Sequence, residues 1–144
     1  MQKQTLYITT ILLFIVSMAT LGFYSGYGNK PKDSDRKAKK PDPVVTVEMT
    51  NTMKFTPDTV RIKRGQTVKW DNTSLLAHSV TGDPSKASIE GSARLPAGAN
   101  PFDSGMLDPK QTFTHTFTVS GTYQYFCIPH EGAKMYGWVI VSGK

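Results

Sequence analysis

The sequence predicts an all-β domain built as a two-layer sandwich or Greek-key barrel. In residues 45–49 and 113–119, β-branched, aromatic and other apolar residues alternate with polar ones, which is the period of a half-buried strand. Roughly seven such runs follow one another, and turn signals such as Arg64-Gly65 and Asp108-Pro109 separate them. The 12 Gly and 9 Pro residues also favour a fold with many turns. Short, regularly spaced strands of this kind are typical of sandwiches and barrels.

The other predicted strands lie around residues 60–62, 68–70, 123–127 and 138–141. Residues 83–105 interrupt the pattern, because they are rich in Gly, Pro, Ala and Ser and show no alternation. We expect them to form a long loop with a short helix around residues 85–90. The folded domain is therefore predicted to cover residues 43–144.

Composition and charge restrict the possible functions. Of the 144 residues, 38% are apolar and 19% are charged, which fits a globular core and excludes disorder throughout. The net charge of +6 is uneven, since residues 1–42 carry seven basic and three acidic groups, and residues 43–144 carry ten and eight. The domain is therefore almost neutral. A nucleic-acid partner is not expected, because such proteins carry a basic face.

Residues 1–27 are predicted to be a signal peptide or a membrane anchor. Lys3 precedes a strongly apolar run at residues 11–16, and Ser17-Met18-Ala19 offers small residues for cleavage. Residues 6–24 are also just long enough to span a bilayer. Six basic residues follow this stretch and one precedes it, which weakens the anchor interpretation. Either way we expect an exported, periplasmic or extracytoplasmic protein, soluble after cleavage or tethered to the membrane.

Residues 28–42 are predicted to be a charged, disordered linker. They contain Lys, Arg, Asp, Pro and Gly and no large apolar side chain, so they have nothing to bury in a core. The domain that follows is expected to be monomeric.

The strongest functional signal is a cluster of possible metal ligands near the carboxyl terminus. Cys127, His130 and Met135 follow the spacing C-x2-H-x4-M between two predicted strands, and His78 lies at the head of another strand. Cys127 is the only cysteine, so it has no disulfide partner within the chain. A thiolate and two imidazoles with a weak thioether form a set that suits copper in both oxidation states.

Other interpretations of these residues remain open at this point. Cys127 alone fits a buried core residue, or a nucleophile with His130 as its base, although no orienting acid is evident. The same four residues could also bind zinc, but methionine is a poor zinc ligand. His115 is the only other histidine, and its place in the middle of a strand indicates a structural side chain. Copper storage or delivery without redox cycling is the main alternative function.

Three segments resemble the plastocyanin-like branch of the cupredoxins, namely residues 70–73, 78–80 and 121–135. The resemblance extends over residues 44–142 and implies a Greek-key β-sandwich with one copper ion at one end. It implies His78, Cys127 and His130 as strong ligands and Met135 as the axial ligand. It further implies a one-electron carrier, not an enzyme, whose Cu(I)/Cu(II) couple serves redox donors and acceptors at the membrane or in the periplasm. The ligand spacing is similar to plastocyanin, since the azurin loop is longer and the amicyanin loop is shorter.

The chain departs from this family pattern in three ways. Ser79 follows the first ligand histidine, where the family usually has Asn, and Phe126 precedes the cysteine, where plastocyanins often have Tyr. Paired acidic runs of the kind that plant plastocyanins use for docking are absent from the sequence. Ser79 is expected to affect the reduction potential of the site, because hydrogen bonds around the ligands tune it. Phe126 lacks the hydroxyl of a Tyr at a position that could serve as a second electron path. Without the acidic runs, a photosynthetic role is not implied.

Small and apolar residues flank the two histidines and are expected to form an exposed apolar collar at the edge of His130. Such a patch permits close, short-lived docking of redox partners. Glu131 and Lys134 are expected at its rim, where charge affects the association rate. The predicted docking residues, besides Leu75, are Leu76, Ala77, Pro129, Gly132 and Ala133.

Overall fold

The computed structural model describes residues 43–143, which form nine strands and two 3-10 helices. The predicted signal or anchor at residues 1–27 and the linker at residues 28–42 lie outside the described residues. Within residues 43–143, no helix has the length and apolar character needed to cross a membrane. The strands are β1 (Val45–Met49), β2 (Phe55–Thr56), β3 (Thr59–Lys63), β4 (Thr67–Asn72), β5 (Thr81–Gly82), β6 (Phe102–Asp103), β7 (Thr112–Thr116), β8 (Gly121–Phe126) and β9 (Tyr136–Ser142). The 3-10 helices are Pro84–Lys86 and Ile128–Ala133.

The strands form two mixed sheets, which confirms the predicted all-β fold. One sheet has the order β2-β1-β4-β7 and the other has the order β3-β9-β8-β5-β6. Strand β1 pairs in parallel with β4, and β3 pairs in parallel with β9, whereas the other pairs are antiparallel. The chain crosses from one sheet to the other five times, after β2, β3, β4, β6 and β7, as in a Greek-key sandwich.

The core contains the apolar side chains of both sheets. In β4, Val68 and Trp70 are buried, while Lys69 between them is partly exposed, as period-2 alternation requires. The Trp70 ring lies 5.3 Å from the ring of Tyr125 in β8 and 6.3 Å from that of Phe117. These aromatic contacts join the two layers, because aromatic pairs at such distances add to the stabilisation from burial.

Gly137 in β9 leaves room for the side chain of the buried Tyr125 in β8. The two residues are register partners, and a Cβ atom at Gly137 would overlap the Tyr125 ring at Cζ and Oη. Tyr125 is fully buried and has no room to move away. Because Cys127 follows Tyr125 by two residues, this packing helps to fix the strand that leads into the cysteine.

The structure differs from the sequence prediction in two places. Strand β7 ends at Thr116 and not at residue 119, because the Phe117 backbone bonds instead to Gln66 and Gly65 in the turn before β4. The helix expected around residues 85–90 is only the short 3-10 helix Pro84–Lys86, whose first turn is capped by the Asp83 carboxylate. Strands β5 and β6 have two residues each, too few to produce a readable alternation.

Candidate metal centre

His78 is fully buried in the segment between β4 and β5, and its backbone is held on both sides. Its N–H donates to the Leu107 carbonyl at 3.0 Å, and its own carbonyl accepts from the Leu107 N–H at 2.7 Å. The buried Asn72 amide also donates to the carbonyls of Leu76 and Leu107 at 2.8 and 2.9 Å. The His78 ring therefore projects from a backbone that has little freedom to shift.

The other predicted ligands lie in residues 127–135, which we call the ligand loop. The Cys127 N–H donates to the Met135 carbonyl at 3.1 Å, so the two ends of the loop are tied together. The His130 N–H donates to the Cys127 carbonyl at 3.1 Å, and the Met135 N–H donates to the His130 carbonyl at 3.3 Å. Lys134 turns the chain back into β9 with a left-handed backbone, φ 57°. These bonds close the loop without help from a ligand.

Three potential donor atoms meet where the two segments converge. The Cys127 Sγ lies 3.5 Å from the His78 Nδ1 and 3.3 Å from the His130 Nδ1, and the two Nδ1 atoms are 3.1 Å apart. A point equidistant from these atoms lies about 1.9 Å from each, close to the roughly 2.0–2.3 Å of metal–nitrogen and metal–sulfur bonds at zinc. The size and the nitrogen and sulfur chemistry of the cluster fit a transition-metal ion such as copper.

The protonation preferences of the cluster also fit a cation. Burial, followed by the nearby charge of His130, lowers the pKa of His78, although the Thr50 carbonyl opposes this shift. His78 thus favours the neutral imidazole, the form that binds metals. Burial raises the pKa of the Cys127 thiol, with partial opposition from hydrogen bonds made by Ser79 and His130. A thiolate here needs a positive partner, and a metal ion provides one.

Met135 is buried at the end of the ligand loop. Its backbone carbonyl and N–H are bonded to Cys127 and His130, so its position is coupled to both of these residues. This placement is compatible with the axial-ligand prediction for its thioether.

Ser79 connects the His78 segment to the ligand loop. Its N–H points at the Cys127 Sγ at 3.3 Å, and its hydroxyl oxygen accepts from the Ile128 N–H at 2.8 Å. The same hydroxyl lies 3.1 Å from the Thr81 hydroxyl, which donates to the Asp103 carboxylate at 2.8 Å. Serine at this position therefore makes a side-chain connection between the two ligand segments.

Phe126 is fully buried, with 0% of its surface exposed. Its ring therefore does not reach solvent, where a partner would have to approach. His130, by contrast, is half-buried and is the most exposed of the three residues that meet at the cluster. Contact between the cluster and an external protein is thus most direct through His130.

The prediction that Glu131 lies at the rim of the collar is wrong. Glu131 is only 6% exposed, and its carboxylate accepts hydrogen bonds from the Ser88 and Ile89 N–H groups at 3.1 and 3.0 Å. Burial alone would raise the pKa of Glu131, but hydrogen bonds from the Ser92 hydroxyl and these N–H groups outweigh it, and the pKa is lowered. The sequence carried no signal of this contact, because the partners are 42 and 43 residues away. Lys134 is exposed, as expected.

The predicted collar residues are at least partly exposed. Leu76 is 40% exposed, Ala77 is half-buried, and Pro129, Gly132 and Ala133 are exposed. Leu75 is 84% exposed. Sequence reasoning missed Met106 and Ile128, which are exposed apolar residues next to Leu107 and Cys127.

His115, the remaining histidine, lies away from the donor cluster. Its ring stacks on Phe102 in the core at 4.4 Å, and burial lowers its pKa. This environment agrees with the predicted structural role, and His115 is not among the donors that converge within residues 43–143.

Comparison with known proteins identifies what the chain is similar to. Residues 42–142 match the family model described as copper binding proteins of the plastocyanin/azurin family. The chain is 33% identical to plastocyanin from Scenedesmus fuscus over 105 residues, which cover 68% of this chain and 99% of that protein. It is 37% identical to the chloroplastic plastocyanin of Tetradesmus obliquus, covering 61% of this chain and 58% of that protein. It is also 37% identical to amicyanin-alpha from Methylorubrum extorquens, and the match covers 62% of this chain and 66% of that protein.

The solved structures point to the same group. The structure of the Cu(I) form of an amicyanin mutant, in which a methionine is replaced by alanine, is 30% identical to this chain. It superposes with a TM-score of 0.54, covering 73% of this chain and 88% of that one. Two other amicyanin structures, an oxidized methionine-to-leucine mutant and a reduced tryptophan-to-tyrosine mutant, have TM-scores of 0.53 and 0.54 at 28% identity.

We expect Ser79→Ala to destabilise the metal-free protein by about 1–3 kcal/mol, because the Ile128 N–H and the Thr81 hydroxyl both lose a partner. Urea unfolding of the metal-free protein measures this change. Ser120→Ala, in the exposed turn before β8, serves as the control and is expected to stay within about 0.5 kcal/mol of the parent. Equal stabilities for the two variants would contradict a structural role for the Ser79 hydroxyl.

Proposed function

Because the chain belongs to the plastocyanin/azurin family of copper-binding proteins, its cofactor is copper, and we propose that it is a one-electron carrier. We assign His78, Cys127 and His130 as the strong ligands and Met135 as the weak axial ligand. The bound copper ion supplies the one-electron Cu(I)/Cu(II) couple. The observation that carries this proposal is the close approach of the three donor atoms, which lie 3.1–3.5 Å apart.

The backbone around the ligands supports electron transfer over chemistry on a substrate. Both ligand segments are closed by their own hydrogen bonds, from Leu107 on one side and within residues 127–135 on the other. Ligands held in this way have little need to rearrange when the charge of the site changes, and a small rearrangement favours fast electron exchange. We therefore infer that the protein is a carrier and not an enzyme.

The surface around His130 is proposed as the docking face for redox partners. Leu76, Ala77, Pro129, Gly132 and Ala133 belong to the two segments that meet at the cluster, and Ile128 and Met106 extend the apolar surface. An apolar patch with a half-buried imidazole allows close contact without the large interface of a permanent complex. The proposed partners are donor and acceptor proteins that bind transiently to a monomeric domain.

We propose that residues 1–27 direct export, that residues 28–42 act as a flexible linker and that residues 43–144 form the copper domain. The sequence pattern of a basic residue followed by an apolar run and small residues supports export. The proposed location is periplasmic or extracytoplasmic, either free after cleavage or tethered through residues 6–24.

Addition of Cu(II) to the purified metal-free protein is expected to produce an intense visible band from thiolate-to-copper charge transfer. Cys127→Ser should abolish this band, because the thiolate is lost. Met135→Leu, which nearly preserves side-chain volume, should keep the band and shift the reduction potential, because only the weak axial ligand is removed. Visible spectroscopy and voltammetry measure the two effects.

A pale or colourless copper complex in the parent protein would argue against an electron carrier and favour copper storage or delivery. Loss of the band in Met135→Leu as well would contradict the division into strong and weak ligands. Urea unfolding of each metal-free variant checks that the fold is retained.

For the docking face, we expect Leu76→Lys to slow electron self-exchange between two copies about tenfold, because the new charges repel each other where the copies must meet. NMR line broadening in mixtures of the reduced and oxidised protein measures this rate. Val44→Lys adds the same charge to an exposed residue before β1, and the His78 cluster lies beyond the other end of that strand. Equal slowing by both variants would show an effect of net charge alone and would contradict the assignment of the face.

Mass spectrometry of the protein from its native host tests the export proposal. Cleavage after Ala19 should give a mature protein that begins at Thr20, whereas a retained anchor should give the full chain in the membrane fraction. A full-length chain in the cytoplasmic fraction would contradict export.

A further inference from the structure

Glu131 is the one buried residue of the 3-10 segment Ile128–Ala133, and it directly follows the proposed ligand His130. Its two carboxylate oxygens are used separately. The Ser88 N–H donates to Oε2 at 3.1 Å, and the Ile89 N–H donates to Oε1 at 3.0 Å. Two consecutive backbone N–H groups thus hold one carboxylate, an arrangement that fixes both its position and its orientation.

Closing the ligand loop does not require this carboxylate. Backbone bonds among Cys127, His130 and Met135 already close the loop, and Lys134 provides the final turn. Burial of a carboxylate is unfavourable unless hydrogen bonds compensate for lost water. The contact is therefore not needed to form the turn. Its effect is to attach the ligand loop to residues 88 and 89.

The segment that receives Glu131 is itself fixed to the sheet. The Arg94 N–H donates to the Gln124 carbonyl at 3.1 Å, and the reverse bond, from the Gln124 N–H to the Arg94 carbonyl, is 2.8 Å. The Gln124 side chain also donates to the Gly91 carbonyl at 2.8 Å. Gln124 lies in β8, the strand that leads into Cys127. Residues 88–94 therefore form a bridge from β8 back to Glu131.

We propose that Glu131 is a positioning residue, which holds the His130 half of the ligand loop against β8 through residues 88–94. His130 and Cys127 then keep a constant separation, because each is connected to the same strand. The effects on copper rest on the function proposed above, whereas the connection itself is made by protein groups alone.

The geometry requires glutamate and not merely a side chain of that size. Each oxygen accepts from a different N–H group, so glutamine could serve only one of them and would turn its NH2 group toward the other donor. Glu131→Gln is therefore a nearly isosteric change that should break half of the contact. Glu90→Gln is the matched control, because Glu90 is exposed in the same segment.

Hydrogen exchange of the metal-free, full-length protein tests the proposal directly. The amides of Lys134 and Met135 are bonded within the loop and report its opening. We expect Glu131→Gln to accelerate their exchange about tenfold, and Glu90→Gln to leave it unchanged. After loading with Cu(II), loss of the metal to a chelator should be faster by a similar factor in Glu131→Gln and unchanged in Glu90→Gln.

Ser88→Pro provides a second variant that leaves Glu131 in place. It removes one N–H donor, and Ala87, with ψ 131°, has the extended backbone that a following proline requires. Accelerated exchange in both variants supports the proposal, and parent-like exchange in both overturns it. A parent protein without the intense copper band would overturn the proposed function, while the exchange measurements would still decide the role of Glu131.

Discussion

The metal centre depends on one constraint, which is that three atoms with lone pairs are held within 3.5 Å of one another. These atoms are the Nδ1 atoms of His78 and His130 and the Sγ atom of Cys127, and His78 and Cys127 are fully buried. Donor atoms at such distances repel one another unless a proton or a cation lies between them. Burial adds to the cost, since it disfavours both the imidazolium of His78 and the thiolate of Cys127. The surrounding backbone bonds hold the donors together despite this cost, and a metal ion between the donors would offset it.

The two histidines of the site differ in how rigidly they are held and in how exposed they are. His78 lies in the interior, where Asn72 and Leu107 fix its backbone. His130 is half-buried on a short loop, and the exposed residues Ile128 and Pro129 precede it in the sequence. An arrangement with one immobile side and one accessible side suits exchange of an electron with an external protein, because access is gained without exposing the thiolate.

The sequence predicted the all-β fold and three of the proposed ligands because these depend on local patterns, whereas His78, 49 residues from Cys127, was indicated by the family resemblance. Alternation identifies strands such as β4, and the spacing of Cys127, His130 and Met135 places three donors on one turn. The burial of Glu131 and the connection through Ser79 depend on contacts between residues 42 to 49 positions apart. Local patterns carry no information about such pairs, so Glu131, flanked by His130 and Gly132, was expected to remain at the surface.

The start and the middle of the ligand loop are both joined to residues 83–105. The Asp103 carboxylate only accepts, so Thr81 must donate to it, which orients the Ser79 hydroxyl toward Thr81 and leaves its oxygen free to accept from Ile128. In the middle of the loop, the Glu131 carboxylate accepts from the N–H groups of Ser88 and Ile89. A change of backbone path at residues 88 and 89 would take both N–H donors away from the Glu131 carboxylate, and a buried polar group that loses its partners costs about 1–3 kcal/mol or more. The long segment that lacks a strand pattern is therefore a structural part of the metal centre.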